Sequence, residues 1–168
     1  MGNTKRLLGD LDRIIVCYVS VYTMKELIYK FVENDQELKG AYEVRRQVFV
    51  EEQGISEDLV FIGDEAAEEM NMVVMDGEMV IGTARVQLMA NNIAKIERMA
   101  VIRTFRHQGI GKGIISFLNE QLKHRHFKYV FLHAQHTVIN FYKSCGFNES
   151  GLPFYEAGIK HTKMEMQY

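Results

Sequence analysis

Asp76-Gly77 sits between two runs of strand-forming residues, Asn71-Met-Val-Val-Met75 and Glu78 to Met89. Such a pair is a strong hairpin signal, because a type I′ turn needs positive φ at both central positions. A second polar pair, Asn91-Asn92, separates that run from a third, Ile93 to Val101. Three strands on such short links form an antiparallel meander. A sheet must therefore exist, and the rest of the chain has to cover its faces.

The flanking segments are suited to that task. Glu26 to Val32 puts Leu27, Tyr29 and Phe31 on one face and reads as a strand. Asn34-Asp-Gln-Glu37 resembles a capping box. It opens a helix with Leu38, Ala41, Tyr42, Val48 and Phe49 along one stripe. From Phe49 to Glu69 there are eight acids and no Lys or Arg, and Gly54 and Gly63 break the stretch into a short helix with loops. After the meander, Gly109 to Arg125 is helical, with Ile110, Ile114, Phe117, Leu118 and Leu122 on one face. Lys128 to Ala134 is apolar enough for a central strand. Thr137 is placed to cap a helix from Val138 to Cys145, which Gly146 stops. Thr162 to Gln167 is a last strand. The order β-α-(α)-β-β-β-α-β-α-β predicts an α/β (α+β) fold, with a mixed, mostly antiparallel sheet flanked by helices.

At 168 residues the chain holds one such domain rather than two. That domain is expected from Met24 to Tyr168, with residues 1–23 as an extension. Lys5, Arg6 and Arg13 precede the apolar run Ile14 to Tyr22, but Asp10 and Asp12 interrupt the basic region and no small-x-small cleavage site follows. A secretory signal is therefore not the expected reading. Cys17 and Cys145 form no C-x-x-C pair and fit a reducing, cytoplasmic setting. No apolar run approaches the roughly 18 to 20 residues that span a bilayer. The net charge of -2 supplies no general field for nucleic acid or an anionic membrane. Neither is an expected partner, and a homodimer is left open.

The chemistry concentrates at Arg106-His-Gln-Gly109-Ile-Gly111-Lys-Gly113, between a strand and an amphipathic helix. The first N–H groups of a helix lack internal partners, and the helix dipole adds positive charge there. Glycines let a phosphate approach, Arg103, Arg106 and Lys112 are cationic, and no acid lies between Ile102 and Gly113. This is an anion site suited to a pyrophosphate. A P-loop would need glycine at Arg106 and Ser or Thr at Gly113. A dinucleotide fingerprint needs G-x-G-x-x-G, whereas the spacing here is G-x-G-x-G. The pattern R-x-x-G-x-G fits throughout.

Arg106-His-Gln-Gly-Ile-Gly111 resembles the pyrophosphate loop of the GNAT superfamily, the acyl-CoA-dependent N-acyltransferases. Ile96-Glu-Arg-Met-Ala-Val101 is similar to that family's fourth strand, and Asn140-Phe-Tyr-Lys-Ser-Cys-Gly-Phe147 to its closing helix and following strand. Val44 to Gln53 and Phe154 to His161 resemble a compact bacterial and archaeal subgroup of largely undefined substrate, which usually has Pro where Lys160 stands. The resemblance spans about Met24 to Gln167. It implies acetyl-CoA as cosubstrate and an amine, small or peptide-borne, as acceptor. The backbone of Met99, Ala100 and Val101 would pair with the pantetheine arm as an added strand. Arg106, His107, Gln108, Gly109, Ile110, Gly111 and Lys112 would form the pyrophosphate site, and Asn140 would contact the cofactor. Tyr142 would face the thioester sulfur, and Glu97 would act as base or hold a water.

Each role has a plainer alternative. Tyr142 beside Phe141 also suits a packed core, and Glu97 also suits a solvated strand edge. His133 and His161 are candidates for the acceptor pocket or for packing, and Arg45 and Gln53 for supporting that pocket. His124-x-His126 and His133-x-x-His136 lack the extra ligands of a zinc site, so no metal is expected. The acidic stretch is either a solvated face or an attraction for a cationic amine. The leading expectation is an N-acetyltransferase using direct attack. The rival is a CoA-binding sensor or partner module without turnover.

Overall fold

The computed structural model describes residues 26–63 and 69–168. The expected N-terminal extension lies outside the described residues. Seven strands make one sheet: β1 Ile28–Phe31, β2 Glu69–Asp76, β3 Met79–Met89, β4 Ile93–Val101, β5 Tyr129–Gln135, β6 Asn148–Glu156 and β7 Ile159–Gln167. Their order is β1-β2-β3-β4-β5-β7-β6. Neighbours are antiparallel except β4 and β5, which are parallel. The helices are α1 Asp35–Arg45, α2 Glu57–Phe61, α3 Ile110–His124 and α4 Ile139–Ser144. The expected mixed, mostly antiparallel sheet is present.

Local chemistry explains most boundaries. Asn34 caps α1 by accepting from the Glu37 N–H at 3.0 Å, while the Glu37 carboxylate accepts from the Glu33 N–H at 2.9 Å. That is a capping box with its return bond moved back one residue. The β2–β3 hairpin forms, but Asp76 pairs with Met79, so Gly77 and Glu78 make the turn. Only Gly77 of these has positive φ, at 62°. The expected two-position type I′ turn at Asp76-Gly77 is thus replaced by one left-handed glycine. Thr137 is drawn into a 3₁₀ turn, His136–Val138, so Val138 rather than Thr137 holds the N-cap of α4. Strand β6 was not expected. Gly151, at φ 77°, and Pro153 interrupt its pattern, and its register with β7 breaks between Ser150 and Phe154. Pro is tolerated there because β6 is a sheet edge.

The core lies between α3 and the sheet. Ile110, Ile114, Ile115, Leu118 and Leu122 of α3 are buried together with Met72, Val74, Val86, Ile96 and Leu132 of the strands. A smaller cluster joins Val44 of α1, Val48 and Ala100 of β4. After α1 the helix widens into a π-helical turn, Arg46–Glu52. Such widening recurs at functional sites. Here it carries Val48 and Phe49 to the wall of a cavity in the sheet.

Gly40 marks how closely α1 meets β3. A Cβ on it would lie 2.4 Å from Val80 Cγ2 and 2.9 Å from Val80 Cβ. Glycine to alanine within a helix ordinarily gains about 1 kcal/mol, whereas overpacking costs about 1–3 kcal/mol. Gly40→Ala should therefore lower stability in denaturant unfolding, and should cost less in a Val80→Ala background. A Gly40→Ala protein as stable as wild type would contradict this docking.

Candidate active site

Strands β4 and β5 pair only from Ile93–Tyr129 to Ile96–Leu132. Both continue, β4 to Val101 and β5 to Gln135. They part because each stays bound to its other neighbour. Strand β3 holds β4 through Val101, and β7 holds β5 through Gln135. A cavity of about 800 Å³ opens in the gap, lined by Glu97 to Val101 on one side and Leu132, His133 and Gln135 on the other. Among the described residues, the β5-facing edge of β4 beyond Ile96 has no strand partner. It presents backbone groups to the cavity.

A bulge sharpens this edge. Thr83 faces Ala100 and Arg85 faces Glu97, so Arg98 and Met99 together oppose Ala84. Arg98 has a left-handed φ of 50°. A non-glycine residue pays a steric cost for this and typically adopts it where surrounding structure insists. The bulge turns the Met99 amide out of the regular ladder.

One end of the cavity is the start of α3. The chain reverses through left-handed His107 (φ 64°) and Gly109 (φ 83°) before α3 begins at Ile110. The Gly113 N–H is the first to bond back, to the Gly109 carbonyl at 3.0 Å. The amides of Ile110, Gly111 and Lys112 are then the unpaired first-turn donors. A Cβ on Gly109 would meet nothing within 4 Å, so its face is open to a ligand. A Cβ on Gly111 would lie 3.2 Å from Phe141 Cζ, so glycine there lets α3 close on α4. Lys112 and Arg103 are exposed beside this end. His107 and Lys112 line the cavity. Gln108 is exposed, with its side chain donating to the Thr104 carbonyl at 3.2 Å, so only its backbone is placed for an anion. Asn140 is exposed on the first turn of α4 and is not among the described lining residues, although Phe141 is.

Arg106 does something other than expected. Its guanidinium grips Glu52 at 2.6 and 2.7 Å, and its Nε–H donates to the Val101 carbonyl at 2.9 Å. The charge expected for a phosphate is committed to a carboxylate. The Glu52 carboxyl is held below its ordinary range by bonds from Arg106. Arg106 therefore ties the end of β4, the glycine loop and the π-helical turn together.

Tyr142 of α4 reaches the cavity wall. Its hydroxyl lies 3.6 Å from Met99 Sδ, and its ring packs edge-on against Phe141 and Phe147. Burial, with a smaller contribution from Cys145, pushes its pKa well above the ordinary tyrosine range. The group stays protonated through neutral pH. Glu97 also lines the cavity, but its carboxylate accepts from Arg85 Nη2 at 2.7 Å and Lys95 Nζ at 2.5 Å. Burial raises its pKa, yet the bonds from Lys95 and Arg85 outweigh burial and hold it low. That weakens the case for Glu97 as a strong base.

Residues of α2 and of the β6–β7 hairpin also line the cavity. Gln53, His133 and His161, the residues expected at an acceptor pocket, are among the described residues that line the cavity. Gln53 Oε1 accepts from Gln135 Nε2 at 2.7 Å. His133 Nδ1 meets Glu156 Oε2 at 2.9 Å, and His161 Nδ1 donates to the Ile159 carbonyl at 2.8 Å. Arg45 is misplaced by the sequence reading. It is fully buried on α1, binds Asn71 and is not among the described lining residues. In the acidic stretch, Glu51, Glu52, Glu57 and Asp58 are exposed, in keeping with the solvated-face alternative. Its described contribution to the wall is Gln53, Ile55, Leu59, Val60 and Ile62, mainly apolar. The described lining carboxylates, Glu97 and Glu156, already have Lys95 and Arg85 or His133 as partners. Sequence reasoning gave no role to Arg98, although it lies within Ile96 to Val101, or to Glu156, because only the bulge and the unexpected β6 bring them to the cavity.

Such a site suits an extended ligand with a diphosphate at one end and a reacting group in the sheet. A family model described as an acetyltransferase (GNAT) domain matches residues 33–168. The chain belongs to this GNAT acetyltransferase family. It is 34% identical over 142 residues to the uncharacterized N-acetyltransferase YjcF of Bacillus subtilis (strain 168), covering 84% of this chain and 98% of that one. A crystal structure from Lactobacillus plantarum, described as a candidate N-acetyltransferase, superposes with TM-score 0.79 at 26% identity, covering 84% of this chain and 97% of that one. An aminoglycoside 6′-N-acetyltransferase complexed with coenzyme A shares the fold, with TM-score 0.70 at 14% identity, covering 83% and 96%. GNAT acetyltransferases use acetyl-CoA, and this chain's open strand edge and glycine cradle fit that molecule. Among the described residues no helix is long and apolar enough to cross a membrane.

The Arg106–Glu52 clamp makes an unusual prediction. Removing an acid near an anion site should tighten anion binding if charge alone mattered. As a clamp, its loss loosens the loop instead. Glu52→Gln and Arg106→Gln should each weaken CoA binding by about tenfold in calorimetry, the scale of a hydrogen bond to a charged group. Tighter binding by Glu52→Gln would remove the clamp.

Proposed function

We propose that this chain transfers the acetyl group of acetyl-CoA directly to an amine, with Tyr142 protonating the departing sulfur. The observation that carries this reading is the Tyr142 hydroxyl at the wall of the strand gap, 3.6 Å from Met99 Sδ, where burial favours its protonated form. The amides of Gly109 to Lys112 would hold the diphosphate at the start of α3, with Lys112 adding positive charge. The free edge at Met99, Ala100 and Val101 would bind the amide-bearing arm as an added strand. Acetyl-CoA supplies an activated thioester at the gap.

The chain's own groups then divide the work. The bulged Met99 N–H is placed to stabilise negative charge that develops on the carbonyl oxygen. An amine attacks only when deprotonated, so its proton must leave first. Glu97 is better suited to orienting a water for that step than to taking the proton, because Arg85 and Lys95 already occupy its oxygens. Gln53, His133 and His161 would line the acceptor's path. The acceptor is an amine, small or peptide-borne, with room for an apolar body against Leu59, Val60 and Ile62.

Tyr142→Phe tests the central role. A general acid typically contributes about 10² to 10⁴-fold, which is roughly 3–5 kcal/mol of barrier. Thiol release should show kcat falling by that factor, while CoA affinity by calorimetry stays nearly unchanged. Because the hydroxyl's pKa is raised, wild-type kcat should not lose its acid near pH 10, the ordinary tyrosine value. A kcat within about threefold of wild type would return Tyr142 to a packing role. CoA binding with no thiol release from any amine would favour the sensor reading.

A further inference from the structure

Arg98 is a charged side chain of the described cavity wall that this scheme leaves unused. Among the described residues lining the acceptor end, Lys95 is paired with Glu97 and His133 with Glu156. Arg98 has no such carboxylate. One of its N–H groups, on Nη2, donates to the neutral Leu59 carbonyl at 2.8 Å. Its Nε is buried and makes no hydrogen bond. A buried donor without an acceptor costs about 1–3 kcal/mol, and more when it carries charge. The residue also bears the left-handed strain of the β4 bulge, which aims it into the cavity wall beside α2. An outlier of this kind, holding an unsatisfied cation in a cavity, calls for a function.

We propose that Arg98 binds the carboxylate of the acceptor, so that the preferred substrate is an amino-acid-like amine with an apolar side chain. This deepens the proposed transfer reaction and rests on it. A guanidinium matches a carboxylate in shape and charge, and charge-assisted bonds of this kind are about twice as strong as neutral ones. Leu59, Val60 and Ile62 surround the same end and provide an apolar lining for the side chain. Of the two readings of the acidic stretch, a solvated face or an attraction for a cationic amine, the second implies a cationic acceptor. The described wall offers no unpaired carboxylate for one, whereas it does offer an uncompensated cation. The paired alternative is structural: Arg98 would merely pin α2 to β4 through Leu59.

The test compares matched acceptors that differ only in the carboxylate, such as leucine against leucinamide and phenylalanine against phenylalaninamide. Thiol release is followed with wild type, Arg98→Lys and Arg98→Gln, and acceptor binding to the CoA-loaded protein is followed by calorimetry. Wild type should favour each carboxylate over its amide by about tenfold or more in kcat/KM, the scale of a charge-assisted bond. Arg98→Gln should erase that preference by raising KM for the acid alone, and Arg98→Lys should keep part of it. CoA affinity should not move. Equal losses with acid and amide would make Arg98 a structural pin and overturn the proposal. So would a wild-type preference for the amides, or no binding of any of the acids. In that last case, retained CoA binding and thiol release with the amides would leave the transferase reading intact. Thiol release with none of the acceptors, despite measurable acid binding that depends on Arg98, would instead sink the transferase reading and keep the carboxylate site.

Discussion

Everything in this structure depends on two parallel strands that start paired and then separate. Strand β4 is committed to β3 as far as Val101, and β5 is committed to β7 as far as Gln135. Their mutual pairing stops at Ile96 and Leu132. A sheet interior normally satisfies every backbone group on both sides. Here, among the described residues, one side of β4 beyond Ile96 has no strand partner, and Met99, Ala100 and Val101 line a cavity, with the Val101 carbonyl accepting from Arg106. An added strand-like ligand is the natural complement. The bulge at Arg98 and Met99 adds a donor out of ladder alignment at the same place.

The charges around that gap are arranged with little left over. Arg106 is bound to Glu52, Arg85 and Lys95 to Glu97, and His133 to Glu156. These pairs fix loops and walls. Among the described residues, Lys112 by the glycine loop and Arg98 by α2 line the cavity without a carboxylate in hydrogen-bond contact. An elongated molecule with phosphates at one end meets the first. The second lies beside α2, where the proposed acceptor would bind. Tyr142 lines the same cavity, partly buried and uncharged, the state that a proton donor to a developing thiolate would need.

Much of this was written in residues that act locally. The meander follows from alternating strands around Asp76-Gly77 and Asn91-Asn92, and β4 has the boundaries expected. Asn34 and Glu37 cap α1 through bonds they can make within one turn. The glycine loop was readable because the requirements of a helix start are local too. What escaped was tertiary. Arg106 looked like a phosphate ligand because Glu52, far away in sequence, cannot be seen opposite it. Arg45 looked like a pocket residue because burial against Asn71 leaves no sequence trace. Strand β6 was hidden by Gly151 and Pro153, and with it Glu156. The bulge that directs Arg98 depends on register, which one strand alone does not encode.

The central claim is that the free edge of β4 becomes a paired edge when the cofactor binds. Amide hydrogen exchange, measured on the free and CoA-bound protein, reads this directly. Exchange should slow selectively at Met99 to Val101 and at Gly109 to Lys112 on adding CoA, while the outer strands β1 and β6 exchange as before. Slowing confined to the glycine loop, with Met99 to Val101 unchanged, would contradict the account and place the arm of the cofactor somewhere other than the gap between β4 and β5.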